Sequence, residues 1–115
     1  INISAQPEPT KLGEPAQPNP ITATVQEAEA LQARGDTQGA IQLYRQWLEH
    51  AHSGDEWIAQ FNLGVLLRDG GDTTGAQQAF QAVLKQKPDF VQARAALQLL
   101  NMSLFLKKEL HELML

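Results

Sequence analysis

The chain has 115 residues, room for one domain of ordinary size, with 43% hydrophobic and 19% charged residues, a globular composition. Nine Lys+Arg against 13 Asp+Glu give a net charge of −4, which argues against binding nucleic-acid phosphates, since that needs a basic face. The lack of cysteine excludes disulfides, thiolate metal sites and cysteine nucleophiles, and no apolar run approaches the roughly 20 residues of a membrane span.

Residues 1–20 hold five of the six prolines, at positions 7, 9, 15, 18 and 20. Proline fixes φ and removes a donor, so this stretch reads as a flexible, partly polyproline-like tail or linker. A ligand for another domain is the other reading, but no P-x-x-P with basic flanks is present. Residues 1–6 carry no basic segment and no apolar core, so no signal peptide is visible. The chain lacks an initiator Met, which points to a processed or excised chain. A thiol-free chain suits either redox compartment, and a soluble protein, cytoplasmic rather than periplasmic, is the expectation.

From Ile21 onward Ala, Gln, Leu and Glu dominate, and these are strong helix formers. β-branched residues never alternate, so the domain 21–115 is expected to be all-α. Helices are predicted at about 22–34, 37–51, 55–69, 73–87 and 89–101. Thr24-Val25-Gln26-Glu27 and Ser53-Gly54-Asp55-Glu56 have capping-box form. Gly35 ends one helix and Asp36 caps the next; Gly70-Gly71-Asp72 repeats that arrangement. Lys87-Pro88-Asp89 separates the last two helices.

The turns Gly35-Asp36-Thr37 and Gly71-Asp72-Thr73 lie 36 residues apart, the period of a helical solenoid with two helices per unit. Within residues 57–90 stand Leu63-Gly64, Leu67, Ala76, Phe80 and Pro88. This stretch resembles a tetratricopeptide repeat, with Leu67 replacing the family's aromatic. Residues 21–54 resemble a first unit through Ala28, Leu31, Gly35-Asp36, Ala40 and Tyr44, with His52 in place of the closing proline. The resemblance implies a short solenoid of about two helical hairpins, 21–54 and 57–90, followed by a capping helix over 91–115. Small residues Ala28, Gly64, Ala40 and Ala76 let helices approach, and Leu31, Leu67, Tyr44 and Phe80 fill the space beside them. Trp47 and Trp57 flank the unit boundary and are expected to pack between units. The lead-in 20–31 also resembles the start of bacterial SPINDLY-type glycosyltransferases, which implies, as a second reading, a substrate-presenting segment of a larger enzyme.

Past Pro88 there is no glycine or proline. Leu99, Met102, Leu106, Leu110 and Leu113 continue one apolar stripe at spacings of three and four. Either one helix spans 89–114 or it breaks near 101–103; the unbroken helix is preferred. A cap should be polar outside, so the stripe is expected to pack on something. Its own groove, a second copy through Leu106, Leu110 and Leu113, or the rest of a longer protein are the three covers.

No grouping supports catalysis. His50 and His52 lie two apart near a helix end, and His111 sits among charges, so neither makes a metal site. Gly70-Gly71-Asp72 lacks the strand and the Lys-Ser/Thr of a phosphate loop. No cofactor is implied. The tetratricopeptide resemblance places a concave groove on the first helix of each unit. By position it presents Thr22, Val25, Glu29 and Gln32, then Ile58, Phe61, Asn62, Val65, Arg68 and Asp69, then Gln92, Ala95 and Leu99. Where some relatives clamp a terminal carboxylate with Lys and Asn, this chain has Val25 and Glu29. The expected function is a non-catalytic module that binds a protein partner's peptide or amphipathic helix, with homodimerisation through the C-terminal helix as an added possibility.

Overall fold

The computed structural model describes residues 20–50 and 54–115. Among them are five helices and no strand: α1 (Ile21–Ala33), α2 (Thr37–Leu48), α3 (Glu56–Asp69), α4 (Thr73–Gln86) and α5 (Val91–Met114). α1 and α2 form one antiparallel hairpin, α3 and α4 a second, and each hairpin stacks on the next element through α2–α3 and α4–α5 contacts. The chain is an all-α stack of helical hairpins.

Alternation of size builds the core. Ala28, Ala40, Ala59, Ala76 and Ala93 are fully buried, and Tyr44, Phe80 and Val83 are the largest side chains removed from solvent. The closest approach is in the second hairpin. A Cβ added at Gly64 would lie 2.7 Å from Cε1 of Phe80, so only glycine lets the ring sit against the α3 backbone. Aromatic contacts then run outward from that point. Phe61 lies 5.8 Å from Phe80 and 5.1 Å from Phe90 between ring centroids. Trp57 meets Phe90 edge-on at 5.2 Å, and the Lys87 ammonium stands over the Trp57 ring at 5.3 Å. Trp57 thus packs between the second hairpin and the start of α5, while Trp47 is buried in the core.

The two joints are alike in detail. Gly35 and Gly71 take φ of +82° and +92°, which an L side chain avoids. In each joint the glycine N–H donates to the carbonyl three residues back and the aspartate N–H to the carbonyl five back, the Schellman arrangement. The second of these bonds, Asp36 to Leu31 and Asp72 to Leu67, is 2.8 Å in both. Each aspartate then caps the following helix: Asp36 Oδ1 accepts from Gly39 N at 2.8 Å and Asp72 Oδ1 from Gly75 N at 2.9 Å. Asp72→Ala is expected to cost about 1 kcal/mol, a drop of roughly 4–8 °C in a thermal melt. An unchanged melting temperature would show that the cap is idle.

Three boundaries differ from the sequence reading. α1 starts at Ile21, directly after Pro20, and Thr24 is a buried helical residue rather than a cap. Burial of Ile21 in the core draws the helix start forward, and the Thr24 N–H already donates to the Pro20 carbonyl at 3.2 Å. α2 ends at Leu48, so His50 lies beyond it. α5 begins at Val91 rather than Asp89, with Phe90 as its N-cap. The Ser53 cap and His52 lie outside the described residues. At the start of α3, Asp55 makes no side-chain cap bond, and Glu56 Oε1 accepts from Gln86 Nε2 at 3.5 Å, tying the two ends of the second hairpin together.

α5 is one unbroken helix of 24 residues. Its first half packs through Ala93, Ala96 and Leu100. Gln77 Nε2 donates to Asn101 Oδ1 at 2.6 Å, which fixes the antiparallel register with α4. Since α4 begins at Thr73, its end is level with Phe105, and α5 runs on for about 14 Å past it. The apolar stripe is not folded back over the chain's own groove: Leu99, Met102, Leu106, Leu110 and Leu113 are 65, 58, 52, 58 and 81% exposed.

Candidate functional site

The α1–α3 contact places the exposed sides of these helices next to each other. Between them lies a hollow of ≈ 150 Å³ lined by Val25, Glu29 and Gln32 of α1, Asn62, Val65 and Leu66 of α3, and Tyr44 of α2 at its floor. That volume suits one or two side chains and falls below the roughly 300–1,000 Å³ of small-molecule pockets. A second hollow of ≈ 140 Å³ lies where α2 meets α3, beside Ile41, Arg45, Leu66 and Asp72.

Of the groove residues expected on α3, the structure brings Asn62 and Val65 together with Val25, Glu29 and Gln32. Ile58 and Phe61 are half-buried and pack against the core, Phe61 through the Phe80 and Phe90 rings. Arg68 and Asp69 stand at the C-terminal end of α3, where Arg68 Nε donates to Asp69 Oδ1 at 3.1 Å. Both are solvent-exposed, so this pair contributes little to stability. Gln92, Ala95 and Leu99 are exposed on α5. The sequence reading missed Tyr44 and Leu66 as lining residues. Their large apolar bodies signal packing, and only the tertiary structure shows that they also border the hollow.

Electrostatics here are mild. The Tyr44 hydroxyl is pushed up to about 12, first because burial disfavours the phenolate and second because the Glu29 charge repels it. The floor therefore stays a neutral phenol at physiological pH. Among the described residues that line it, Glu29 alone is charged, which makes the hollow unfavourable for an anion. Among the described residues no three His, Cys, Asp or Glu come together in a metal-holding group. No described helix is long and apolar enough to cross a membrane.

Comparison with known proteins gives one family. A tetratricopeptide repeat model matches residues 25–89, more than half of the chain, from within α1 to just past the end of α4. The match is to the repeat alone and carries no glycosyltransferase assignment. No curated protein and no solved structure matches the chain. Paired antiparallel helices, duplicated Gly-Asp joints and a glycine seated against a phenylalanine in the second hairpin agree with that match, and the chain belongs to the tetratricopeptide repeat family.

Proposed function

We propose that the chain is a non-catalytic protein-interaction module whose face along α1, α3 and α5 receives an apolar peptide or amphipathic helix of a partner. Repeats of this family generally serve as protein-interaction modules, and the observation that carries the reading here is the α1–α3 hollow. Val25 and Val65 give it an apolar lining, while Glu29, Gln32 and Asn62 supply polar contacts at side-chain scale. Nothing reactive is concentrated there. Ile58 and Phe61 border the same face of α3, Arg68 and Asp69 mark its far end, and Gln92 and Leu99 extend it onto α5. Such a surface suits an apolar anchor in the hollow with further side chains laid along the row.

Selection from a displayed peptide library tests it. Enriched peptides are expected to carry apolar residues at helical or alternating spacing. Val65→Lys is expected to lose them while keeping its helical circular dichroism, because Val65 is only half-buried. Enrichment no greater than on an unrelated helical protein, or binding indifferent to Val65→Lys, would overturn the proposal.

A further inference from the structure

The overhanging half of α5 keeps one apolar face where the other described helices have ended. Up to Leu100 the helix buries Ala93, Ala96 and Leu100. Continued past Phe105, that packed face holds Lys107 and His111, so the sequence closes its contact with α4 where α4 stops. The stripe from Leu99 to Leu113 lies about a third of the way round the helix from the packed face and does not turn polar. An apolar row maintained beyond the last neighbouring helix marks a contact outside the hairpins.

The spacing of the row says which contact. Leu106 is central; Met102 and Leu110 lie four residues to either side, and Leu99 and Leu113 seven to either side. The order is a palindrome. A two-fold axis through Leu106 sets Leu106 against its own copy, Met102 against Leu110, and Leu99 against Leu113. An isologous interface requires that self-complementarity, and a foreign partner does not. Phe105 of the two copies then meets on one flank of the axis, while Lys107 on the other is long enough to reach solvent.

The area agrees. The five stripe residues and Phe105 are 52–81% exposed. At roughly 100 Å² of apolar surface for each fully exposed side chain, they offer on the order of 370 Å². A stable interface buries about 800 Å² per partner, some 60% of it apolar, so the row supplies roughly three quarters of the apolar share. The overhang also leaves room, since α4 lies on a different side of α5 and ends short of the axis.

We infer that the C-terminal half of α5 pairs antiparallel with α5 of a second copy of this chain, about an axis at Leu106. The inference rests on the reading of the α1–α3–α5 face as a docking face and names the occupant of its α5 end.

The absence of cysteine makes the test direct. Sedimentation equilibrium of the full chain is expected to show a dimer in the micromolar range. Leu106→Glu, which sits on the axis and so acts twice, is expected to weaken it by at least ~100-fold with helicity unchanged. Leu106→Cys is expected to cross-link to itself on mild oxidation. A mixture of Leu99→Cys and Leu113→Cys is expected to cross-link between the two variants and not within either. A wild-type monomer at about 100 µM would overturn the inference, as would Leu113→Cys cross-linking to itself, the sign of a parallel pair. The cross-linking arms stand even if Leu106→Glu fails to fold. Peptide selection repeated on the Leu106→Glu variant separates the two proposals. A monomeric wild type that still selects peptides removes only the pairing, and a cross-linked dimer whose variant selects none removes only the foreign-peptide reading.

Discussion

Phe80→Ala is expected to destabilise the fold by about 3–5 kcal/mol, enough to leave so small a helical stack largely unfolded at room temperature. The ring is fully buried, fills the space opened by Gly64 and passes packing on to Phe61. Removing it leaves a cavity between α3 and α4, the helix pair with the most extensive contact among the described elements. The contact with Gly64 gives a sharper form of the test. In the wild type, Gly64→Ala forces a Cβ to 2.7 Å from the ring, and the expected overpacking of about 1–3 kcal/mol meets or exceeds the helix-propensity gain of about 1 kcal/mol. In a Phe80→Leu background the clash is relieved, and the same Gly64→Ala change is expected to stabilise. Denaturant titration of the four proteins measures the coupling. Additive effects would show that the ring and the glycine are not in contact.

Alkaline pH is expected to unfold the protein through Tyr44. The unfolded phenol titrates near its ordinary value of 10.0 and the folded one at about 12. The native state therefore holds its proton more tightly, and stability falls as the pH rises above 10. A shift of that size corresponds to roughly 2–3 kcal/mol lost by pH 12. Below pH 10 the effect vanishes, because both states are protonated. Tyr44 is the chain's single tyrosine, so tyrosinate absorbance reports this one group without ambiguity. Tyr44→Phe should flatten the alkaline limb of stability against pH, and Glu29→Gln should lower the Tyr44 titration partway, burial being the larger cause. A native Tyr44 that titrates at the ordinary value would sink this account.

Which features could be read in advance follows from the range of the forces that make them. The two Gly-Asp joints are legible because their chemistry is local: a residue able to take positive φ, then a carboxylate three residues before an N–H it can cap. The second hairpin is legible because Leu63-Gly64, Ala76, Phe80 and Pro88 match the tetratricopeptide pattern that this stretch resembles. The unbroken α5 follows from the absence of any breaker after Pro88. Thr24 misleads because its local motif fits a cap, while burial of Ile21, a tertiary effect, starts the helix earlier. Tyr44 is legible as filler but not as the floor of a hollow, since that depends on which side α1 and α3 leave open. The stripe on α5 can be seen in the sequence. That its second half extends past the end of α4 cannot, because the register rests on the Gln77–Asn101 bond.

The two joints are interchangeable parts. Each has the same backbone sign and the same capping bond, and the residues between them form a whole block that starts and finishes at equivalent points. Duplicating or deleting that block leaves both hinges chemically unchanged, so the array can grow or shrink by an entire unit without any new turn being invented. Reach along the row is thus a property that gene duplication can tune, while the fit at each unit is tuned separately by point mutation.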